Sequence, residues 1–584
     1  MKNLKRLSLF LVLLLAAGLA VGCGGTAEEE GTPEGGEPQE AYINHSIGDE
    51  PPDLASVTTT DTYSLMITSE FQEGLVRQQP DGSFPQGSGL AESWTVSEDG
   101  TVYTFKLKPG LKWSTGNPLT SADFANAWKF AIDPRNAAQY AYQLYHIKGA
   151  EAVNTISLPD PAEDGQEAYD QAVAQIEDGL ANVGIETPDE LTLQVTLERP
   201  TPFWVSLTSF PTYFPVDWKF FEELGGPAKL GGEYAAEADK LSAIGPFKMS
   251  KWVHDSEIEL VKNPDYWDAE TVKLDRIHYD IITDNSTAIN MYEAGDLDRV
   301  GIGEKFLEQY KDDPTLTIDP DGSVWYITLN MIQPEKPDHE KLFKNAKFRQ
   351  ALSYAIDRET LATQVQKTHV PAKIYTSTVI SDLEGNNFYE TWIKEPLWPT
   401  KADPAKAKQL LAEALEEVGL DQAPADIVVM TDESDTARTR DEAIQEMWRQ
   451  NLGLEVKLEP VDFKTRLERS RNHQYDIVFS GWGPDYNDPM TFLDMWVTGG
   501  PYNDGGYSNP AYDDLVAQAR EEFDNPKRMG LFKQMEEMIA EEIPVIVLDE
   551  RMRYNVTRPW VKGLLHRAIG AEYEYKWVTI EGRE

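Results

Sequence analysis

YDIVFSGWGPDYNDPMTFL, residues 475–493, is the stretch from which the rest of the chain can be read. Ile477-Val478-Phe479 is a short apolar run of the kind that a buried strand carries. Ser480-Gly481-Trp482-Gly483-Pro484 then breaks the pattern with two glycines and a proline. Behind the break stand Asp485, Tyr486, Asn487 and Asp488. A strand followed by a Gly/Pro turn that presents an acid and aromatics is how open α/β sheets place ligands, beyond the carboxyl ends of their strands. The stretch therefore predicts an α/β fold and a second element that faces this one.

Working outward, the neighbouring sequence alternates helices and strands. Ile427 to Met430 predicts a strand. Ala443, Ile444, Met447 and Trp448 mark a helix that ends at Gly453, and Leu454 to Leu458 is the next strand. Further upstream, Asp403 caps a helix with Pro404 at its first position. Leu410, Leu411, Leu415 and Val418 make its stripe and Gly419 ends it. Phe348, Ala351, Leu352, Ala355 and Ile356 form another helical stripe. This alternation predicts a parallel sheet. The end of the chain, from Pro544 to Tyr554 and through Pro559-Trp560-Val561, is strand-rich.

The first half is more mixed. Thr58-Thr59-Thr60-Asp61-Thr62-Tyr63 is polar and loop-like and leads into a helix-like stretch from Ser64 to Gly74. Tyr103, Phe105 and Leu107 alternate with Thr104, Lys106 and Lys108, as in a half-buried strand. Thr120-Ser121-Ala122-Asp123 reads as a capping box, with Phe124, Ala127, Trp128 and Ala131 at helical spacing behind it.

With 584 residues the chain is too long for one core, so two or three domains are expected. Its 99 acidic and 53 basic side chains give a formal charge of -46, which disfavours nucleic acid as a partner. Cys23 is the one cysteine, so no intramolecular disulfide forms. Lys2, Lys5 and Arg6 precede an apolar run from Leu7 to Val21, followed by Gly22-Cys23. That is the build of an export signal, too short for a spanning helix. Ala20-Val21-Gly22-Cys23 resembles the lipobox of bacterial lipoproteins, which implies cleavage after residue 22 and a lipid (palmitate among others) on Cys23. Residues 23–40 then make a flexible, charged spacer rich in Gly, Glu, Thr and Pro.

The segment AESWTVSEDGTVYTFKLKPGLKWSTGNPLTSADF (residues 91–124) resembles the defining segment of the family 5 extracellular solute-binding proteins, receptors of ABC importers. Further matches follow in order: Thr201-Pro202-Phe203, Gly245-Pro246-Phe247, Asn263-Pro264-Asp265-Tyr266-Trp267, Tyr292-Glu293-Ala294-Gly295-Asp296-Leu297-Asp298 and KFRQALSYAIDRETL at 347–361. Gly481-Trp482-Gly483-Pro484-Asp485-Tyr486-Asn487 is similar to the motif of the oligopeptide-binding branch.

The resemblance implies a periplasmic-binding-protein-like fold of class II, two lobes with a cleft between them and an extra domain on the first. Lobe I would take 41–72, 216–322 and 549–584, the extra domain 73–215, and lobe II 323–548. The chain would cross between lobes near Ser323 and Leu548. It further implies an extracytoplasmic, membrane-tethered monomer with no cofactor and no catalysis. This protein would capture short peptides and deliver them to a permease driven by an ATPase.

In that reading Asp485 meets the peptide amine. Gly481 and Gly483 let peptide backbone approach from one side, and Thr60, Asp61 and Thr62 face it from the other. Trp482, Tyr486, Trp325, Tyr326, Tyr140 and Tyr142 supply aromatic walls, Asn487 supplies a polar contact, and Asn330 either bonds ligand backbone or ties a strand-end turn. Some relatives carry an arginine three residues before the motif's tryptophan, used to meet the peptide carboxylate; here that position is Phe479. A nickel- or glycan-binding member of the same family and a signalling-peptide receptor are the alternatives. An exported hydrolase is opposed by the sequence, which has no H-E-x-x-H, G-x-S-x-G or P-loop motif.

Overall fold

A computed structural model describes residues 40–583 apart from Pro202, Glu335, Leu383 and Ala571. The leader, Cys23 and all of the spacer except Glu40 lie outside the described residues. Residues 41–584 form one compact unit.

Two large hydrophobic cores carry this unit. The first draws on residues between Ile43 and Tyr279 and on Val561, Tyr573, Tyr575 and Val578. The second is built almost wholly from residues between Val324 and Leu548, joined by Leu65, Tyr140 and Phe210 from the first half of the chain. The architecture is thus a two-lobed α/β fold. The first core runs without a break from the strand Tyr42–Ile47 into an antiparallel four-stranded sheet (Ala91–Val96, Val102–Leu107, Thr192–Thr196, Ile185–Asp189). The helix Ser121–Ile132 packs on that sheet. Its capping box is in place, the Thr120 N–H donating to the Asp123 carboxylate at 2.7 Å.

An eleven-stranded sheet threads both lobes, and its two longest strands join them. Leu316–Leu329 and Val545–Thr557 run antiparallel to each other along most of their length. At one end Leu316, Tyr554 and Val556 pack on a small cluster with Ala288, Ile289 and Tyr292. At the other, Val324, Ile327, Val545 and Ile546 belong to the second core. The ladder slips between Pro320 and Val324 and again between Trp325 and Tyr326, so the irregularity falls where the cores change over.

The second lobe is only partly parallel. Val428–Asp432 pairs in parallel with Lys457–Val461 and with the start of Ile477–Trp482, but Ile477–Trp482 pairs antiparallel with Leu316–Leu329. Helix–strand alternation registers the parallel members and says nothing of a strand arriving from the other lobe. A second difference concerns the opening stretch. The strand does not stop at Ser480 but continues through Gly481 to Trp482, because Trp325 and Val324 pair with those two residues. The helices of this lobe follow the sequence closely. Asp403 and Gly419 cap Pro404–Val418, with the αL conformation at the glycine, and Gly453 ends Asp435–Leu452 in the same way.

Candidate functional site

A cavity of about 220 Å³ lies where the two cores approach each other. Thr60, Asp61, Thr62 and Tyr140 line it from the first half of the chain. Trp325 and Tyr326 line it from the long paired strands, and Gly481 to Asp485 from the end of Ile477–Trp482. Contacts close across it: the Tyr63 and Phe463 rings meet edge to face at 5.7 Å, and Arg471 Nη2 donates to Thr60 Oγ1 at 3.0 Å.

Asp485 is the chemically distinctive group. Tyr140 Oη donates to its Oδ1 at 3.0 Å and Gln143 Nε2 to its Oδ2 at 2.9 Å. Its own N–H donates to Thr491 Oγ1 at 3.0 Å, which fixes the turn. The side chain is buried, and among the described residues no basic group pairs with it. Burial pushes its pKa up to about 8, reinforced by the charge of Asp494 and opposed by the Tyr140 and Gln143 hydrogen bonds. Tyr140 Oη also lies 3.2 Å from Thr60 O. A protonated Asp485 can therefore donate to Tyr140 while Tyr140 donates to Thr60, and an ionised Asp485 can take the Tyr140 proton in its place. The site accommodates both protonation states.

The strand end supplies backbone. Ile477–Trp482 pairs along its whole length on one side with Leu316–Leu329. On the other side only Ile477 and Val478 find partners. Among the described residues the outer edge from Phe479 onward is free of a ladder partner, and Ser480 to Gly483 line the cavity there. Gly481 packs closely, a Cβ there standing 3.1 Å from the Trp325 ring. Trp482 donates from Nε1 to Thr491 O at 2.8 Å and meets the Tyr502 ring edge to face at 4.7 Å. Trp325 has Arg440 and Arg551 over its ring at 5.4 and 5.2 Å.

Four of the predicted residues stand elsewhere: Tyr142, which lines a separate cavity, Asn330, Tyr486 and Asn487. Asn330 is fully buried and does not line the cavity. Its Nδ2 donates to His473 O and Tyr475 O at 2.8 Å each, and its Oδ1 accepts from Ile332 N and Gln333 N. Every polar atom is used to tie a strand-end turn, which corrects the expectation of a ligand contact. Tyr486 points away from the cavity and stacks on Phe203 at 5.9 Å. Asn487 is exposed and accepts from Ser381 N at 2.9 Å. Asp61 lines the cavity and also caps the helix Thr62–Phe71, accepting from Ser64 N at 2.9 Å.

Gln143, Tyr502 and Arg471 escape sequence reasoning. Gln143 lies three residues after Tyr140 in the 3₁₀ helix Gln139–His146, where side chains three apart fall on one line. An α-helical or loop reading of that segment hides the pairing. Arg471 is not ion-paired among the described residues, whereas Arg466 bonds Asp432 at 2.7 Å and Arg553 bonds Asp321 at 3.0 Å. Phe479 is buried in the second core, with Arg440 4.5 Å over its ring. Among the described residues no three His, Cys, Asp or Glu side chains group to hold a metal ion, and no helix is long and apolar enough to cross a membrane.

Residues 87–504 match the family model described as bacterial extracellular solute-binding proteins, family 5. The chain is 32% identical over 581 residues to the oligopeptide-binding protein OppA of Bacillus subtilis (strain 168), across 97% of this chain and 96% of that protein. Among solved structures it is similar to the substrate-binding domain of an oligopeptide ABC transporter from Bacillus anthracis str. Ames. That likeness has 31% identity and a TM-score of 0.83, and covers 93% of this chain and 99% of that chain. It is also similar to Listeria monocytogenes OppA bound to peptide, with 29% identity and a TM-score of 0.82 over 93% of this chain and 100% of that chain.

Proposed function

The chain belongs to the family 5 bacterial extracellular solute-binding proteins, and from that premise we propose that it captures short peptides for an ABC importer. The peptide lies between the lobes as an added strand, its amine on Asp485. The observation that carries this reading is the Asp485 carboxylate, which is buried, held by two hydrogen-bond donors and without a cation among the described residues. Burial keeps this group protonated near neutral pH, and a ligand cation would remove the cost of ionising it. The unpaired edge of Phe479–Trp482 beside it is what an extended backbone requires. Across Thr60, the guanidinium of Arg471 offers the opposite charge, so the cavity presents both poles that a zwitterionic peptide needs.

The remaining parts of the reading follow from the family. Lobe I takes 41–72, 216–322 and 549–584, the extra domain 73–215 and lobe II 323–548, with the paired strands Leu316–Leu329 and Val545–Thr557 as the hinge. Closure around the peptide is the switch, and the closed form docks on a permease whose ATPase subunits drive uptake. Cys23 carries the lipid that tethers a monomer to the outer face of the cell membrane. The protein performs no catalysis.

Mass spectrometry of small molecules released by denaturing freshly purified protein, followed by titration with a defined peptide mixture, tests the substrate class. Release or uptake of peptides of a few residues is expected. Exclusive retention of a metal chelate or a sugar, with no peptide bound in the titration, would overturn it.

A further inference from the structure

A second cavity, of about 120 Å³, lies behind the Asp485 site, between the segment that carries Gln143 and the helix Pro510–Glu521. Asp485, Tyr140 and Trp482 do not line it. Three residues of its lining each carry a polar atom that is buried without a hydrogen-bond partner: Gln143 Oε1, Asp494 Oδ1 and Tyr142 Oη. Gln143 and Asp494 are themselves 3% and 9% exposed, so solvent at the surface does not reach them freely. Two of the three atoms are acceptors only, and Tyr142 can serve as one. The rest of the wall is aromatic, with Phe203 and Tyr486 stacked at 5.9 Å and His146 edge-on to Phe203 at 5.6 Å.

The charges around the cavity leave room for a cation. Arg528 is held by Asp488, Arg520 lies 3.7 Å from Glu151 and 3.8 Å from Asp494, and Arg199 lies 3.9 Å from Glu521. Glu522 also lines the wall, so the lining holds three acids, Glu151, Asp494 and Glu522, and three arginines, two of which are drawn to acids outside it, Arg528 to Asp488 and Arg199 to Glu521. Burial drives the pKa of His146 down to about 3, so it adds no charge. Burial pushes the Asp494 pKa up to about 7 although Arg520 beside it acts in the other direction. The volume is close to that of an apolar cavity of about 150 Å³ that takes a benzene ring.

The geometry points to a second ligand pocket, for a small organic ammonium with one ring or a short alkyl chain. The ammonium seats on Gln143 Oε1, Asp494 Oδ1 and Tyr142 Oη, and its body lies against Phe203 and Tyr486. The same Gln143 amide donates from Nε2 to Asp485. A donor on its oxygen polarises the amide and strengthens that bond. The occupant thereby favours ionised Asp485 and tightens capture of an amine in the main cavity, and the coupling is reciprocal.

Because Asp485 is itself an ammonium site, the test must separate the two. Benzylammonium is titrated into the full chain, into Asp485→Ala and into Asp494→Asn, with benzyl alcohol as the uncharged control. Saturable binding at one site per chain is expected for Asp485→Ala, which has lost the main-cavity ammonium site, and at that site and the Asp485 site for the full chain, with roughly tenfold weaker binding at the pocket in Asp494→Asn, the 1.4 kcal/mol of one partly shielded charge. Benzyl alcohol should not saturate. Loss of binding in Asp485→Ala, equal binding to Asp494→Asn, or no saturable binding would each overturn the pocket. Should Asp494→Asn fail to fold, crystals soaked in 4-bromobenzylammonium decide. A bromine peak beside Phe203 and Tyr486 supports the pocket, and bromine elsewhere or absent refutes it. None of these outcomes depends on whether the main cavity takes peptides.

Discussion

Burial leaves the Asp485 carboxyl holding its proton up to about pH 8, and Tyr140 and Gln143 wait to stabilise its ionised form. A peptide amine, with an ordinary pKa of about 7.7–8.0, arrives protonated at neutral pH. Capture then expels one proton, so affinity rises up to about tenfold per pH unit below pH 8. Above that the amine loses its own proton and affinity falls. Calorimetry at pH 6.5 in buffers of different ionisation enthalpy should register one proton released per peptide; no release would mean that Asp485 is not the anchor. For the unliganded protein the sign is the opposite of the usual carboxylate. The folded pKa lies above the unfolded value of about 3.9, so the stability it contributes fades as pH rises from there towards 8.

Asn330 provides the contrast. Asn330→Ala would leave several buried backbone groups unpaired at roughly 1–3 kcal/mol each. The melting temperature should drop while the folded protein keeps its peptide affinity; a selective loss of affinity would return Asn330 to the site. The resemblance of Gly481–Asn487 to the oligopeptide-binding motif is what singled out Asp485, since an aspartate behind a Gly/Pro turn reads by itself as a turn former. The resemblance did not distinguish Asn330, since an amide that ties a turn and one that meets a ligand look alike in sequence.

At the scale of elements, the strand Ile477–Trp482 and the 3₁₀ helix Gln139–His146 build the anchor together. The first was visible as an apolar run, but its true end was not. Gly481 and Trp482 remain in the strand because Trp325 and Val324 pair with them, and pairing across more than a hundred residues leaves no local trace. The 3₁₀ segment was legible only as two tyrosines, so Gln143 stayed hidden. Gly481→Ala tests the strand's part. Its Cβ would press on the Trp325 ring at 3.1 Å, and overpacking of this kind costs roughly 1–3 kcal/mol. Peptide affinity should fall about tenfold or more in fluorescence titration. Unchanged affinity would place the peptide backbone away from this edge.

At the scale of the molecule, two cores are joined by two long antiparallel strands. The alternation of helices and strands foretold the α/β class, and the matched motifs foretold the two lobes. The mixed sheet escaped because it is assembled from strands of both lobes. An exposed contact such as Lys305–Asp435, at 2.7 Å, contributes little on its own because water screens it. If the proposed hinge closes on a ligand, peptide should reduce the radius of gyration in solution scattering. An unchanged radius would contradict a hinge. Cys23→Ser should release the protein from membranes into the soluble fraction, and continued anchoring would contradict lipidation.

The central claim is that a buried, unpaired carboxylate exists to meet a peptide amine. The most direct measurement is the affinity of one short peptide, with its amine free and N-acetylated, for the native protein and for Asp485→Ala. The account predicts that acetylation weakens binding to the native protein roughly ten- to hundredfold, as loss of a charge-assisted hydrogen bond of about 1.5–3 kcal/mol requires. It also predicts that Asp485→Ala no longer distinguishes the two forms. Equal affinities of both forms for the native protein would contradict it.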